Sequence, residues 1–260
     1  IMKKFLLVFF VAMLAGCMQN TTNVGKSQVD RSQLMLVSSD EINEASAKAY
    51  NEVIAQAKAS NTLNKDPKLT KRVRDISNKL IAKAPYFRED SAKWNWEVNV
   101  ITSDTINAWC MAGGKIAVYT AIVEKLKLND DEIAFILAHE IAHALREHVR
   151  EQQSQELVKN GLIGVASMFG VDNTILGVAN VAANVGISLP FSRSHESESD
   201  EIGLELSYMA GYNPDAAASL WRKMQEYSGD GGFEFLSTHP SHESRIENLE
   251  KLAAKLKAKK

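Results

Sequence analysis

Two histidines four residues apart, with a glutamate directly after the first, form the pentad His139-Glu140-Ile141-Ala142-His143. On a helix, side chains at that spacing share a face, with Cβ atoms roughly 5–6 Å apart. Both imidazoles can then reach one divalent cation. Glu140 falls about 100° around the helix from His139, which sets its carboxylate beside the metal instead of on it. That is the arrangement for a metal that acidifies a water and a base that takes the proton. The neighbours sharpen the reading. From Ile133 to Leu145 the remaining residues are apolar: Ala134, Phe135, Ile136, Leu137, Ala138, Ile141, Ala142 and Ala144. A helix apolar on all sides is buried, and ionisable groups inside it must be paired or must hold a metal. The competing reading is a hydrogen-bonded buried cluster without an ion.

A catalytic zinc site takes three protein ligands and keeps one position open. The best third candidate lies in Ser192-Arg193-Ser194-His195-Glu196-Ser197-Glu198-Ser199-Asp200. Glu196 and Asp200 are four apart and share a helix face, so Glu196 could bind the metal while Asp200 orients a ligand histidine. Taken alone this is weak, because acids on a helix usually make a solvated face. Glu198 and Glu201 read as such a face, and His195 reads as a rim residue.

The elements that must position these groups follow from pattern. Ile42, Ala45, Ala49, Val53 and Ala57 recur at helix spacing from Asp40 to Ala59. Asp66-Pro67 opens a second helix with Leu69, Val73, Ile76, Leu80 and Ile81, stopping before Pro85. Trp94, Trp96, Val98 and Val100 alternate, predicting a strand over 94–101. Gly113-Gly114 is a turn, and Lys115 to Tyr119 reads as another strand, so a small sheet precedes the pentad. Asn129-Asp130-Asp131-Glu132 starts the pentad helix, which is expected to run past Val149. Residues 157–189 are apolar and glycine-interrupted. They read as a buried helical hairpin, or as a flap or membrane-touching element. Asn180 and Asn184 argue against a span. Helices are expected from Ser194 to Gly211, from Asn213-Pro214 to Tyr227 and from Ser241 onward, with a flexible loop at Ser228–Gly232.

The beginning of the chain reads differently. Met2-Lys3-Lys4 is a charged region, Phe5 to Leu14 is an apolar run too short to span a bilayer, and Leu14-Ala15-Gly16-Cys17 supplies small residues before a cysteine. This resembles a bacterial lipoprotein signal, which implies residues 1–16 as signal peptide and Cys17 as the lipidated residue. Met18 after it resembles an outer-membrane address. Residues 17–38, rich in Asn, Thr, Ser and Gln, are expected to form a tether, leaving 39–260 as the domain. Cys110 then lacks a partner and is expected as a buried small hydrophobe. With 45% hydrophobic and 24% charged residues the chain is composed as a folded domain, and a net charge of −2 offers nothing to nucleic acid.

Four segments together resemble the HtpX/BepA-type gluzincin zinc metallopeptidases, a group that includes the CAAX prenyl-protein endopeptidases. They are Asn107-Ala108 with Gly113-Gly114; His139 to His143; Ser192-Arg193 with Glu196 and Asp200, running to Ala210-Gly211-Tyr212-Asn213-Pro214; and Thr238-His239-Pro240-Ser241 with Arg245. The likeness spans roughly residues 65–250. It implies an α+β, mainly helical, zincin-like metallopeptidase domain with a small sheet beside the HExxH helix. It implies one Zn2+ per chain on His139, His143 and Glu196, and Glu140 as catalytic base. It further implies support from Asp200, His239 at the active site as a transition-state donor or a reversible extra ligand, and Arg245 near the site. Ala112 and Ser199 depart from the family pattern, in which Pro and Ala are common at those places.

The resulting expectation is a lipid-anchored periplasmic metalloendopeptidase acting on unfolded or damaged envelope polypeptides, at the outer membrane and with possible envelope partners. An extended substrate would add to the sheet edge near 107–119, with Asn107, Gly113 and Gly114 at that edge. The rivals are a latent, zinc-containing chaperone-like module with His239 closing the site, and a structural metal domain.

Overall fold

The computed structural model describes residues 17–168, 190–227, 234–240 and 244–258, with the backbone alone over 162–168. The signal region 1–16, most of the expected hairpin at 157–189 and the loop at 228–233 therefore lie outside the described residues. The elements, in chain order, are β1 (Met18–Gln19), β2 (Gln33–Leu34), α1 (Ser39–Ala59), α2 (Pro67–Ile81), β3 (Glu97–Ile101), β4 (Ala108–Met111), β5 (Lys115–Tyr119), α3 (Thr120–Lys125), α4 (Asp130–Leu145), α5 (His148–Met168), α6 (Arg193–Met209), α7 (Ala216–Tyr227), α8 (Glu234–Thr238) and α9 (Ser244–Ala258). The class is α+β and mainly helical, as expected.

Helix α4 is the centre. Asn129 caps it, accepting from the Glu132 backbone N–H, while the Glu132 side chain accepts from the Asn129 N–H. Every residue from Glu132 to Leu145 is buried, so the all-round apolar pattern does place this helix inside. Helix α6 packs along it, α2 and α7 flank it, and α9 covers α6 and α7. On the remaining side lies the three-stranded sheet, ordered β3-β5-β4. The β3–β5 pair is parallel and the β4–β5 pair antiparallel. This leaves β4 as the sheet edge that lies against α4. The β4–β5 turn needs Gly113 and Gly114 at φ +75° and +83°. At Gly114 a Cβ would also come within 2.5 Å of the Trp96 ring, so glycine is required there on two counts.

Three expectations change. The pentad helix does not run past Val149. It ends at Leu145, Glu147 takes a left-handed φ of +51°, and α5 starts afresh at His148. The break is held because the Arg146 side chain is fully buried against Glu198, and its carbonyl accepts from Gln33 at 2.7 Å. The strand predicted over 94–101 begins only at Glu97. Trp94 and Trp96 sit before it, where the Trp96 indole donates to the Ser91 carbonyl at 2.9 Å. The stretch around Cys110 is itself strand β4, and Cys110 is buried and free as expected.

The third change concerns residues 17–38, which do not form a free tether. Val29 and Met35 are buried, and the Glu205 carboxylate accepts from the backbone N–H groups of Lys26 and Ser27 at 2.9 and 2.7 Å. The Gln33 amide donates to Glu151 as well as to Arg146. Polar residues that each find a particular buried partner carry no periodicity, so the segment looked like linker. No helix among the described residues is long and apolar enough to cross a membrane.

Candidate metal centre

His139 and His143 lie one turn apart on α4, and Glu196 projects from the first turn of α6. His239 follows α8, its N–H bonded to the Phe235 carbonyl at 2.9 Å and its ring stacked on Phe235 at 4.3 Å. All four side chains are buried, and one donor atom from each lies within 4.8 Å of the others. His139 Nε2 is 3.2 Å from His143 Nε2 and 3.4 Å from His239 Nδ1. Glu196 Oε1 is 3.3 Å from His143 Nε2 and 3.0 Å from His239 Nδ1, and Oε2 is 3.6 Å from His139 Nε2.

These distances test whether a metal fits. Donors about 2.0–2.1 Å from a tetrahedral zinc lie roughly 3.3–3.4 Å from one another. The five separations, taken with either Glu196 oxygen, span 3.0–3.6 Å around that edge, and the whole set lies within 4.8 Å. Three imidazole nitrogens and a carboxylate converging on one point also hold too few protons to satisfy one another. A cation at that point satisfies all of them, so the donor set fits zinc.

The groups behind the ligands supply orientation and charge. Asp200 Oδ1 lies 3.0 Å from His139 Nδ1, and Arg245 grips Asp200 through Nε and Nη2 at 2.7 and 2.8 Å. Arg245 Nη1 reaches Glu196 Oε2 at 2.7 Å, and the guanidinium lies 3.6 Å over the Trp221 ring. Burial opposes ionisation of Glu196, but His239, His143 and His139 outweigh it and hold the carboxyl well below its usual range. Burial likewise works against Asp200, and Arg245 keeps its carboxyl low. At His143 burial dominates and depresses the imidazole well below its usual value, which keeps it neutral and ready to bind a metal.

Glu140 is treated differently from Glu196, whose Oε2 meets the Arg245 guanidinium at 2.7 Å. The Glu140 Oε1 accepts no hydrogen bond and lies 3.6 Å from His239 Nε2. Burial raises its pKa above the ordinary glutamate value, toward that of a base able to hold a proton in mid-reaction. Glu140 opens onto a cleft whose walls include Asn107, Trp109 and Met111 from the β4 edge, Ile42 from α1, and Phe191. Asn107 is therefore brought to the cleft, its Oδ1 accepting from the Ala108 N–H at 2.8 Å. Gly113 and Gly114 are not; they turn the chain at the far end of β4, beside Asn43 and Trp96.

The geometry depends on a close approach of α4 and α6. A Cβ on Gly203 would lie 2.8 Å from the His139 backbone nitrogen and 2.9 Å from its Cα. Gly203→Ala must push the two helices apart, and with them Glu196 and Asp200 from the histidines. We expect a loss of about 1–3 kcal/mol of stability and weaker zinc retention, read by thermal unfolding with and without zinc. Unchanged melting in both states would contradict this account of the packing.

Sequence reasoning placed His195 and Glu198 on the outside, and both are buried. His195 Nε2 lies 3.1 Å from Glu151, and Glu198 meets Arg146, Arg31 and His148. A polar face on α6 is not solvated here because the 17–38 segment and the start of α5 cover it. His148 was also missed; it lies five residues beyond His143, off the face that the pentad defines.

A buried HExxH helix, a glutamate from a following helix among the converging donors and an edge strand along the cleft define a zincin-like metallopeptidase domain. The model of peptidase family M48 matches residues 67–253, and the chain belongs to that family. It is 35% identical over 155 residues to the mitochondrial metalloendopeptidase OMA1 of Arabidopsis thaliana, covering 60% of this chain and 31% of that protein. The OMA1 of Schizosaccharomyces pombe is 36% identical over 158 residues, covering 60% of this chain and 46% of that one. The β-barrel assembly-enhancing protease of Yersinia pestis is 28% identical over 220 residues, or 78% of this chain and 43% of that protein. The chain thus spans less than half the length of these curated relatives.

Proposed function

We propose that this protein is a membrane-anchored zinc metalloendopeptidase that hydrolyses peptide bonds in unfolded or damaged envelope polypeptides. The observation that carries the proposal is the pairing of a zinc-fitting donor set with a buried Glu140 carboxylate, whose Oε1 accepts no hydrogen bond, beside an edge strand. His139, His143 and Glu196 would hold the zinc, which would supply Lewis acidity at the scissile carbonyl and toward water. Glu140 is placed to accept a proton from the attacking water and to return it to the leaving amine. The backbone of β4 offers main-chain pairing to an extended substrate, which binds unfolded chains without a strict side-chain code. Asp200 and Arg245 keep His139 and Glu196 in place throughout. Lipid on Cys17 and an outer-membrane address follow from the signal-like start of the sequence. The name of the Yersinia relative supports an envelope setting, whereas the OMA1 names point to mitochondria in their own organisms.

A second reading has its own observation. His239 Nδ1 sits at the fourth corner of the donor set, 3.0 Å from Glu196 Oε1. Four protein donors close a zinc site, whereas catalysis needs one position open. In that reading the protein is latent until His239 withdraws.

One preparation tests both readings. The full chain is expressed in a Gram-negative host with labelled palmitate, purified with its zinc, and given casein beside Cys17→Ser and His239→Ala. We expect label on the wild type and none on Cys17→Ser, with casein cleaved in a chelator-sensitive way. Cleavage by His239→Ala alone would select the latent reading. Zinc-loaded protein that cleaves in neither form would overturn the peptidase proposal.

A further inference from the structure

His143 presents Nε2 to the donor set, so the proton it keeps lies on Nδ1 and must be given to an acceptor. His139 solves the same problem with a carboxylate, Asp200, at 3.0 Å. The group at the back of His143 is another imidazole: Nδ1 of His148 lies 2.9 Å from Nδ1 of His143. We propose that His148, held by Glu198, is the positioning residue that orients His143 and fixes its tautomer.

The protons can be placed from the distances. Only one hydrogen fits between two ring nitrogens 2.9 Å apart, so His143 donates and His148 Nδ1 accepts. The proton of His148 is then on Nε2, which donates to Glu198 Oε2 at 3.1 Å. Ser199 Oγ is 3.3 Å from the same Nδ1, farther than His143. Glu198 is fixed in turn by Arg146 Nε at 2.9 Å and by Arg31. The His195 ring stacks on His148 at 4.4 Å, 19° from parallel, and sets its plane. The break between α4 and α5 acquires a purpose here. The left-handed turn at Glu147 lets α5 begin with His148 tucked beneath the end of α4.

Arg31 belongs to the 17–38 segment. Its contact with Glu198 and its paired contacts with Glu151 at 2.6 and 2.8 Å run that segment into the same network. The chain next to the lipidation candidate Cys17 therefore reaches the site through Arg31, Glu198, His148 and His143.

The inference rests on the metal-centre reading, and its test separates the two. Full-chain wild type, His148→Leu and His148→Asn are titrated with a competing chelator, and unfolding of each zinc-free form is recorded. Leucine removes the acceptor, whereas the Asn side-chain oxygen can replace it. We expect His148→Leu to bind zinc roughly 10–100-fold more weakly and His148→Asn to recover most of the loss, with similar zinc-free melting for the two. In zinc-loaded wild type carrying 15N-histidine, a scalar coupling across the His143–His148 hydrogen bond is expected. That measurement decides the matter if His148→Leu does not fold. Wild-type zinc affinity in His148→Leu, or no coupling in the loaded wild type, would overturn the relay. Wild type that binds no zinc would overturn the metal centre instead.

Discussion

Replacing Glu140 with glutamine is expected to reduce peptide hydrolysis by about 10²–10⁴-fold, the usual contribution of a positioned general base. That is roughly 2.7–5.4 kcal/mol of transition-state stabilisation at about 1.36 kcal/mol per tenfold. The substitution keeps shape and removes only the capacity to hold a proton. Zinc content should stay at one per chain, because Glu140 is not among the converging donors. Stability should not fall either. The carboxylate is buried, its Oε1 accepts no hydrogen bond, and burial already disfavours its charge, so a neutral amide costs less to bury. The diagnostic result is an inactive protein with full zinc and an undiminished melting temperature. Cleavage within tenfold of wild type would remove Glu140 from the mechanism.

Glu196→Ala should act on the metal and the fold together. Glu196 is the one carboxylate among the four donors, and its Oε2 is also the anchor for Arg245 Nη1 at 2.7 Å. Without it, three imidazoles and a guanidinium face one another inside the protein with one acid fewer. Breaking a buried ion pair from one side costs about 3–5 kcal/mol, so the zinc-free form should melt lower than wild type. Zinc adds a second effect. A ligand present at a thousand times its Kd stabilises the folded state by about 4.1 kcal/mol. That increment should appear on adding zinc to wild type and vanish in Glu196→Ala. Calorimetry of both proteins with and without zinc reads the two effects separately. An equal zinc-induced shift in the variant would show that Glu196 is not a ligand.

The two experiments probe parts of the site that were legible in the sequence to different degrees. His139, Glu140 and His143 could be placed from spacing alone, because a helix fixes the relation of residues one and four apart wherever it lies in a protein. Burial of α4 was equally legible, from apolar residues on every face. Glu196 and Asp200 were legible as a pair on one helix face. Their assignment to the metal needed the family resemblance, since nothing local says which helix packs against α4. The contact at Gly203 supplies that information in three dimensions. The likeness also drew attention to His239 and Arg245, a hundred residues from the pentad, which the fold brings to the donor set.

The remaining features had no local signature. Glu198 and His195 look like solvated helix positions until the 17–38 segment and α5 cover them. That segment looks like linker because specific polar contacts follow no period. The break at Arg146–Glu147 has no signal in the sequence either, since no Gly or Pro marks it and good helix formers follow, while Gln33, more than a hundred residues away, helps to hold it. Short-range geometry set by the helical repeat is written in the chain itself: the histidine pair, the glutamate beside it and the buried helix that carries them. The closure of the donor set by His239, the two networks behind the histidines and the docking of the N-terminal segment arise only when distant residues meet. Their energies come from pairing buried charge, and no spacing along the chain records which charges will be buried together.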